Sequence, residues 1–157
     1  MEVGILTVSD RCSIGETEDV SGTLLAQIFE EANHTIKFKK VVPDEFDQIS
    51  GVLQYWSERC ELIITTGGTG LAPRDVTPEA TESVIERRAP GFSEMLRYTG
   101  YQINPRAMLS RGVSGIVGEC LIINLPGSPK AVREGMDVLM PLLPHAVAIL
   151  KHEPTDH

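Results

Sequence analysis

Short apolar runs that stop at polar or glycine-rich turns, each followed by a stretch of helical period, constrain this chain most. Val3–Val8 is nearly continuous in apolar side chains and ends at Ser9-Asp10. Leu62–Thr65 ends at Thr66-Gly67-Gly68-Thr69-Gly70, and Cys120–Leu125 ends at Pro126-Gly127-Ser128. Apolar runs without alternation suit strands buried on both faces, which belong to parallel sheets covered by helices. Thr35–Val42 alternates in part, which predicts a strand nearer an edge, closed by Pro43-Asp44.

Between these runs the apolar period changes from two to about 3.6. Ser21 is the expected N-cap of a helix carrying Leu24, Leu25, Ile28, Phe29 and Ala32. Phe46, Ile49, Val52, Leu53 and Trp56 define a second helix. Thr77-Pro78 supplies an N-cap and a proline at the first helical position, opening a helix to about Arg87. Pro90-Gly91 breaks it, and Phe92, Met95, Leu96 and Thr99 predict another, with Met95 and Trp56 in core positions. Leu109–Val117 and Cys120–Leu125 flank Gly118-Glu119 as a hairpin. Ser128-Pro129 starts a further helix and Pro144 a last short one. Strands alternating with helices give an α/β class with a mainly parallel central sheet and one antiparallel hairpin.

At 157 residues a single domain over 1–157 is expected. The formal net charge of -8 opposes binding to nucleic acid or to an anionic membrane surface. Cys12, Cys60 and Cys120 stand far apart without metal-ligand spacing, a pattern that fits small buried hydrophobes in a reducing compartment. The chain opens on Met1-Glu2-Val3 with no secretory pattern, so a cytoplasmic protein is expected. His34, His145, His152 and His157 form no ligand or triad pattern.

In open parallel sheets ligands sit beyond the carboxyl ends of the strands. Ser9-Asp10, Asp44, Thr66–Gly70 and Gly127-Ser128 all fall there. The glycine turn presents bare amides to an anion such as phosphate. It is neither a Walker A loop nor GxGxxG. Asp44 and Asp75 follow different strands, so they can face each other, and paired carboxylates suit Mg²⁺ with substrate phosphates. Helix capping is the competing reading for Asp44, for Asp75 ahead of Pro78, and for Gly127-Ser128. Asp10, Asp19 and Glu45 are weaker choices for the metal. Arg74, Arg106, Arg111 and Lys130 are available to neutralise phosphates, and Ser110-Arg111 enters the hairpin beside the same sheet.

Taken in order, Thr65–Gly70, Arg74-Asp75-Val76-Thr77-Pro78-Glu79-Ala80, Pro90-Gly91-Phe92, Leu109-Ser110-Arg111 and Asn124–Pro129 form a recognisable pattern. Thr7-Val8-Ser9-Asp10, Asp19–Gly22 and Val42-Pro43-Asp44 extend it. The chain resembles the molybdopterin adenylyltransferase family, whose relatives include the G domain of gephyrin. The resemblance implies a three-layer α/β sandwich, molybdenum-cofactor-biosynthesis-like, assembled as a homotrimer. It implies transfer of AMP from Mg·ATP to the terminal phosphate of molybdopterin with release of pyrophosphate, and a partner protein for molybdenum insertion. A non-catalytic molybdopterin-binding or scaffold protein on the same fold is the alternative.

By position, the resemblance gives Asp75 the Mg²⁺ or substrate-positioning role and Asp44 a supporting one. Thr66, Gly67, Gly68, Thr69 and Gly70 would hold a phosphate, with Ser110 and Pro126-Gly127-Ser128 at the other end of the substrate. Ser9 and Asp10 complete the binding set. Ser128 stands where relatives carry an amide side chain, so the contact carried over there is a backbone one.

Overall fold

The computed structural model describes residues 1–156; His157 lies outside the described residues. The elements run β1 (Glu2–Val8), α1 (Asp10–Ser13), α2 (Val20–Glu31), β2 (Thr35–Val42), α3 (Phe46–Ser57), β3 (Leu62–Thr66) and α4 (Thr77–Glu82). They continue with β4 (Arg87–Arg88), α5 (Pro90–Ile103), a 3₁₀ turn (Pro105–Leu109), β5 (Ser114–Val117), β6 (Cys120–Leu125), α6 (Pro129–Leu139) and α7 (Leu143–Leu150). The strands form one sheet in the order β2-β1-β3-β6-β5-β4. The first four of these neighbours are parallel, and β5 runs antiparallel to both β6 and β4.

Successive strand residues point to opposite faces, and here both faces are apolar. Val3, Ile5, Leu62, Ile64, Leu121 and Ile123 pack under α2, α6 and α7 with Leu25, Phe29, Met136, Leu139 and Val147. Leu6, Val8, Ile63 and Ile122 pack on the other face with Ile49, Leu53, Trp56 and Ala80 of α3 and α4. This is the three-layer sandwich, with its parallel core and antiparallel hairpin, that the sequence predicts. Full burial of a Leu or Ile is worth about 1.5–3 kcal/mol, so strands lined with them on both faces gather at the centre.

A strand apolar on both faces does not fix its own register, because a slip by one residue still buries apolar groups. Polar pins do that work at the carboxyl edge. Asn124, opposite Thr65 in the ladder, donates to Thr65 Oγ1 (2.9 Å) and Thr81 Oγ1 (3.0 Å). Its side-chain Oδ1 accepts the Val113 amide at 3.1 Å. Any shift would leave these buried groups unpaired, at about 1–3 kcal/mol each.

Several local expectations are corrected. The cap of α2 is Asp19, whose carboxylate accepts the Gly22 amide at 2.9 Å, and Ser21 lies inside the helix with its hydroxyl on Gly127 O at 2.7 Å. Thr77 is likewise inside α4, its hydroxyl on Gly67 O, and α4 ends at Glu82 rather than near Arg87. Both hydroxyls instead donate to tertiary carbonyls from positions inside their helices. The stretch Leu109–Gly112 is not strand, because Pro105–Leu109 curls into a 3₁₀ turn held by the Asn104 side chain on the Arg106 amide. Met95 is 44% exposed, since α5 buries only Ser93 fully, whereas Trp56 is in the core as expected. Ser9 caps the short helix α1, a stretch that reads as loop in the sequence.

Candidate functional site

Parallel pairing of β2, β1, β3 and β6 brings their carboxyl ends to one edge, and the four polar loops arrive together there. They form two neighbouring groups, because each loop meets the loop of the strand beside it.

The β1 and β2 loops make the first group. The Asp10 amide donates to Asp44 Oδ2 (2.9 Å), and the Asp44 amide donates to Asp10 Oδ1 (3.0 Å). Arg74 closes this ring, with Nε 2.6 Å from Asp10 Oδ2 and Nη2 2.9 Å from Glu45 Oε1. The Arg74 hydrogen bond pulls the Asp10 carboxyl below its ordinary range. Burial pushes the Asp44 carboxyl up, and the charges of Asp10 and Asp75 push the same way. These residues tie the two loops together, and Asp44 caps the Asp10 amide rather than helix α3.

A depressed carboxyl stabilises the fold above its unfolded pKa, about 4, and that contribution is lost as pH falls through the lower folded value. Asp10 and Arg74 are exposed, with side chains at 40% and 58%, so solvent screens the pair and its contribution is small. We expect Arg74→Gln to shift the urea midpoint slightly at pH 7, with the difference from the parent closing below about pH 4. A difference that grew on acidification would contradict this sign.

The second group is built on β3 and β6. Thr66 Oγ1 donates to Pro126 O at 2.7 Å and the Gly67 amide to Leu125 O at 3.1 Å, locking the two turns together. Gly67 and Gly68 take φ of +97° and +67°, which glycine adopts without a Cβ penalty. All four carbonyls of the glycine turn are taken by the protein. Gly67 O and Gly68 O accept from the Thr77 hydroxyl (2.9 Å) and amide (3.1 Å). Thr69 O and Gly70 O accept from the Arg111 amide and Nε, both at 2.8 Å. Among the described residues the amides of Gly68, Thr69 and Gly70 have no acceptor. Consecutive unpaired amides in such a turn make an anion-binding concavity.

These residues line a cavity of about 500 Å³ between the turn, α5 and α6. Gly67–Gly70, Asp75, Ser110, Pro126, Gly127 and Ser128 are on its wall, while Ser9, Asp10, Asp44 and Thr66 are not. The two aspartates still flank the turn. A Cβ on Gly68 would lie 2.9 Å from Asp44 Oδ1, and one on Gly70 2.8 Å from Asp75 Oδ2. Asp75 accepts the Ala72 amide at 3.1 Å instead of capping α4. Ser128 caps α6, its hydroxyl accepting the Ala131 amide at 3.2 Å. Arg106 and Lys130 reach the cavity; Arg74 and Arg111 are engaged elsewhere.

Arg97 is a cavity residue the sequence reading missed. Its Nη1 donates to Gly112 O at 2.8 Å, and no carboxylate pairs with it among the described residues. Its position one residue after Leu96 on the predicted helix was the available signal. Among the described residues no three His, Cys, Asp or Glu gather to hold a metal. Asp44 and Asp75, the carboxylates flanking the glycine turn, are of the type that binds Mg²⁺ together with phosphate oxygens.

Residues 4–145 match the probable molybdopterin binding domain. The chain belongs to that family. It is 42% identical to a molybdopterin adenylyltransferase of Helicobacter pylori over 154 residues, spanning 96% of this chain and 88% of that protein. It is also 42% identical to the gephyrin of Dictyostelium discoideum, of which it spans only 23%. The crystal structure of the molybdopterin biosynthesis enzyme MoaB from Thermus thermophilus superposes with a TM-score of 0.91 at 44% identity, covering 99% of both chains. Among the described residues no helix is long and apolar enough to cross a membrane.

Proposed function

We propose that this member of the molybdopterin-binding family is a molybdopterin adenylyltransferase of molybdenum cofactor biosynthesis. An oxygen of the terminal phosphate of molybdopterin attacks the α-phosphorus of Mg·ATP. The bond to the bridging oxygen of the β-phosphate breaks, and pyrophosphate leaves. Charge spreads over non-bridging oxygens in such transfers, so positioning and electrostatic stabilisation supply the catalysis.

One observation carries the reading: the saturated carbonyls and free amides of Gly68–Gly70 lie beside Asp75 on one cavity wall. The amides would hold a phosphate group, and Asp75, with Asp44 behind the turn, would hold the Mg²⁺ that ATP carries. Thr66 contributes through its hydroxyl latch, and Ser9 and Asp10 through the neighbouring loop. Gly127 and the start of α6 would meet the other end of the substrate. A scaffold without a ligand would need neither the free amides nor the cavity, whereas a non-catalytic molybdopterin binder would keep both and release no pyrophosphate.

Incubation with molybdopterin, ATP and Mg²⁺ should yield adenylylated pterin and pyrophosphate in equal amounts. No product from substrate of proven activity would end the enzymatic reading.

The same reading places the protein in the cytoplasm, as a homotrimer that passes its product to a molybdenum-insertion partner. Exposed Met95, Tyr98, Ile103 and Met108 on α5 and the 3₁₀ turn support assembly, since they offer apolar surface to cover. Sedimentation should give three times the 17.2 kDa chain mass; a monomer at micromolar concentration would refute the trimer.

A further inference from the structure

The segment Gly70–Asp75 carries the aspartate on which the proposed chemistry turns, and Leu71–Arg74 is exposed. Its own hydrogen bonds are local: the Ala72 amide to Asp75 Oδ2 (3.1 Å) and the Asp75 amide to Ala72 O (2.9 Å). Among the described residues only two arginines tie it to the body of the protein. Arg74 reaches outward to Asp10 and Glu45. Arg111, at the foot of β5, reaches in from the other side.

Arg111 makes four contacts, two on this segment and two beside it. Its amide donates to Thr69 O (2.8 Å), its Nε to Gly70 O (2.8 Å) and its Nη2 to Asp75 O (2.6 Å). Its Nη1 forms an ion pair with Glu79 on α4. The two side-chain bonds grip the segment at its first and last residues, so the planar fork sets the span between the amide cradle and Asp75. A lysine ammonium is a point charge on a flexible stem and does not reproduce a rigid fork.

We propose that Arg111 is a positioning residue that fixes Asp75 relative to the Gly68–Gly70 amides, rather than a phosphate ligand. The inference rests on the adenylyl-transfer reading for its kinetic arm alone. In Arg111→Lys the backbone bond to Thr69 O survives while the fork's shared hold on Gly70 O and Asp75 O is lost, so the span between them loosens. A misplacement of about 1 Å can lower a rate a hundredfold, so turnover should fall about 10- to 100-fold with the KM for ATP changed by less than about threefold. Glu79→Gln removes the ion pair and keeps both carbonyl bonds, and it should retain at least about half of the parental turnover.

Hydrogen exchange gives a readout independent of activity. In Arg111→Lys the hydrogen-bonded amides of Ala72 and Asp75 should exchange about tenfold faster, as expected for a locally opened segment, while those of Leu121–Leu125 stay unchanged. Parental turnover in Arg111→Lys, unchanged exchange at Ala72 and Asp75, or equally faster exchange in β6 would each overturn the proposal. If the parent makes no adenylylated product, the functional reading falls and the exchange arm alone decides Arg111.

Discussion

Asp75→Asn is expected to lower turnover about 100- to 1,000-fold, the range seen when one preorganised electrostatic group is lost from a transfer site. The amide oxygen of asparagine still accepts the Ala72 N–H that Asp75 holds at 3.1 Å, so the turn keeps its shape. What disappears is the negative charge on the cavity wall. Steady-state assay of pyrophosphate release, paired with a thermal melt, separates the two effects. An asparagine variant with parental turnover would remove Asp75 from the chemistry. A variant that lost both activity and several degrees of melting temperature would make its role structural.

Gly67→Ala should be strongly destabilising, by about 2–6 kcal/mol. Two costs add. A non-glycine residue held at φ +97° carries strain of about 1–3 kcal/mol. The new Cβ would also sit 2.2 Å from Val8 O, a backbone atom in a central strand, and overpacking of that kind costs about 1–3 kcal/mol. Gly51→Ala is the matched control: Gly51 lies in α3 with nothing within 4 Å of its Cβ position, and alanine there should stabilise by up to about 1 kcal/mol. Urea titrations of the two variants should diverge in opposite directions. Equal midpoints would mean that the turn relaxes without cost.

The strand framework was legible because burial writes it directly. The runs Val3–Val8, Leu62–Thr65 and Cys120–Leu125 leave no alternative to central strands, and parallel pairing then forces their polar ends to one edge. Helix caps were less legible. Ser21 and Thr77 are good N-caps by composition, yet both hydroxyls are drawn to carbonyls of the glycine turns, Gly127 O and Gly67 O, far away in sequence. Sequence distance also concealed that Asp10 pairs with Asp44 and stands off the cavity wall, since the β2-β1-β3-β6 order decides which loops are neighbours. Arg97 and Arg111 show the same limit. One was passed over and the other read as a phosphate ligand, because a guanidinium reads the same whether its donors face a ligand or the backbone.

The two edges of the sheet carry a consequence for the chain in crowded solution. An unpaired strand offers its amides and carbonyls to any other exposed strand, which is how sheets grow into aggregates. The edges here are β2, with exposed Lys37, Lys39 and Lys40, and β4, only two residues long and composed of Arg87 and Arg88. Any edge-to-edge docking between copies would bring cations against cations, although the chain as a whole carries a net charge of -8. An acidic protein thus sets five of its fourteen basic side chains on the two edges where strands would otherwise add.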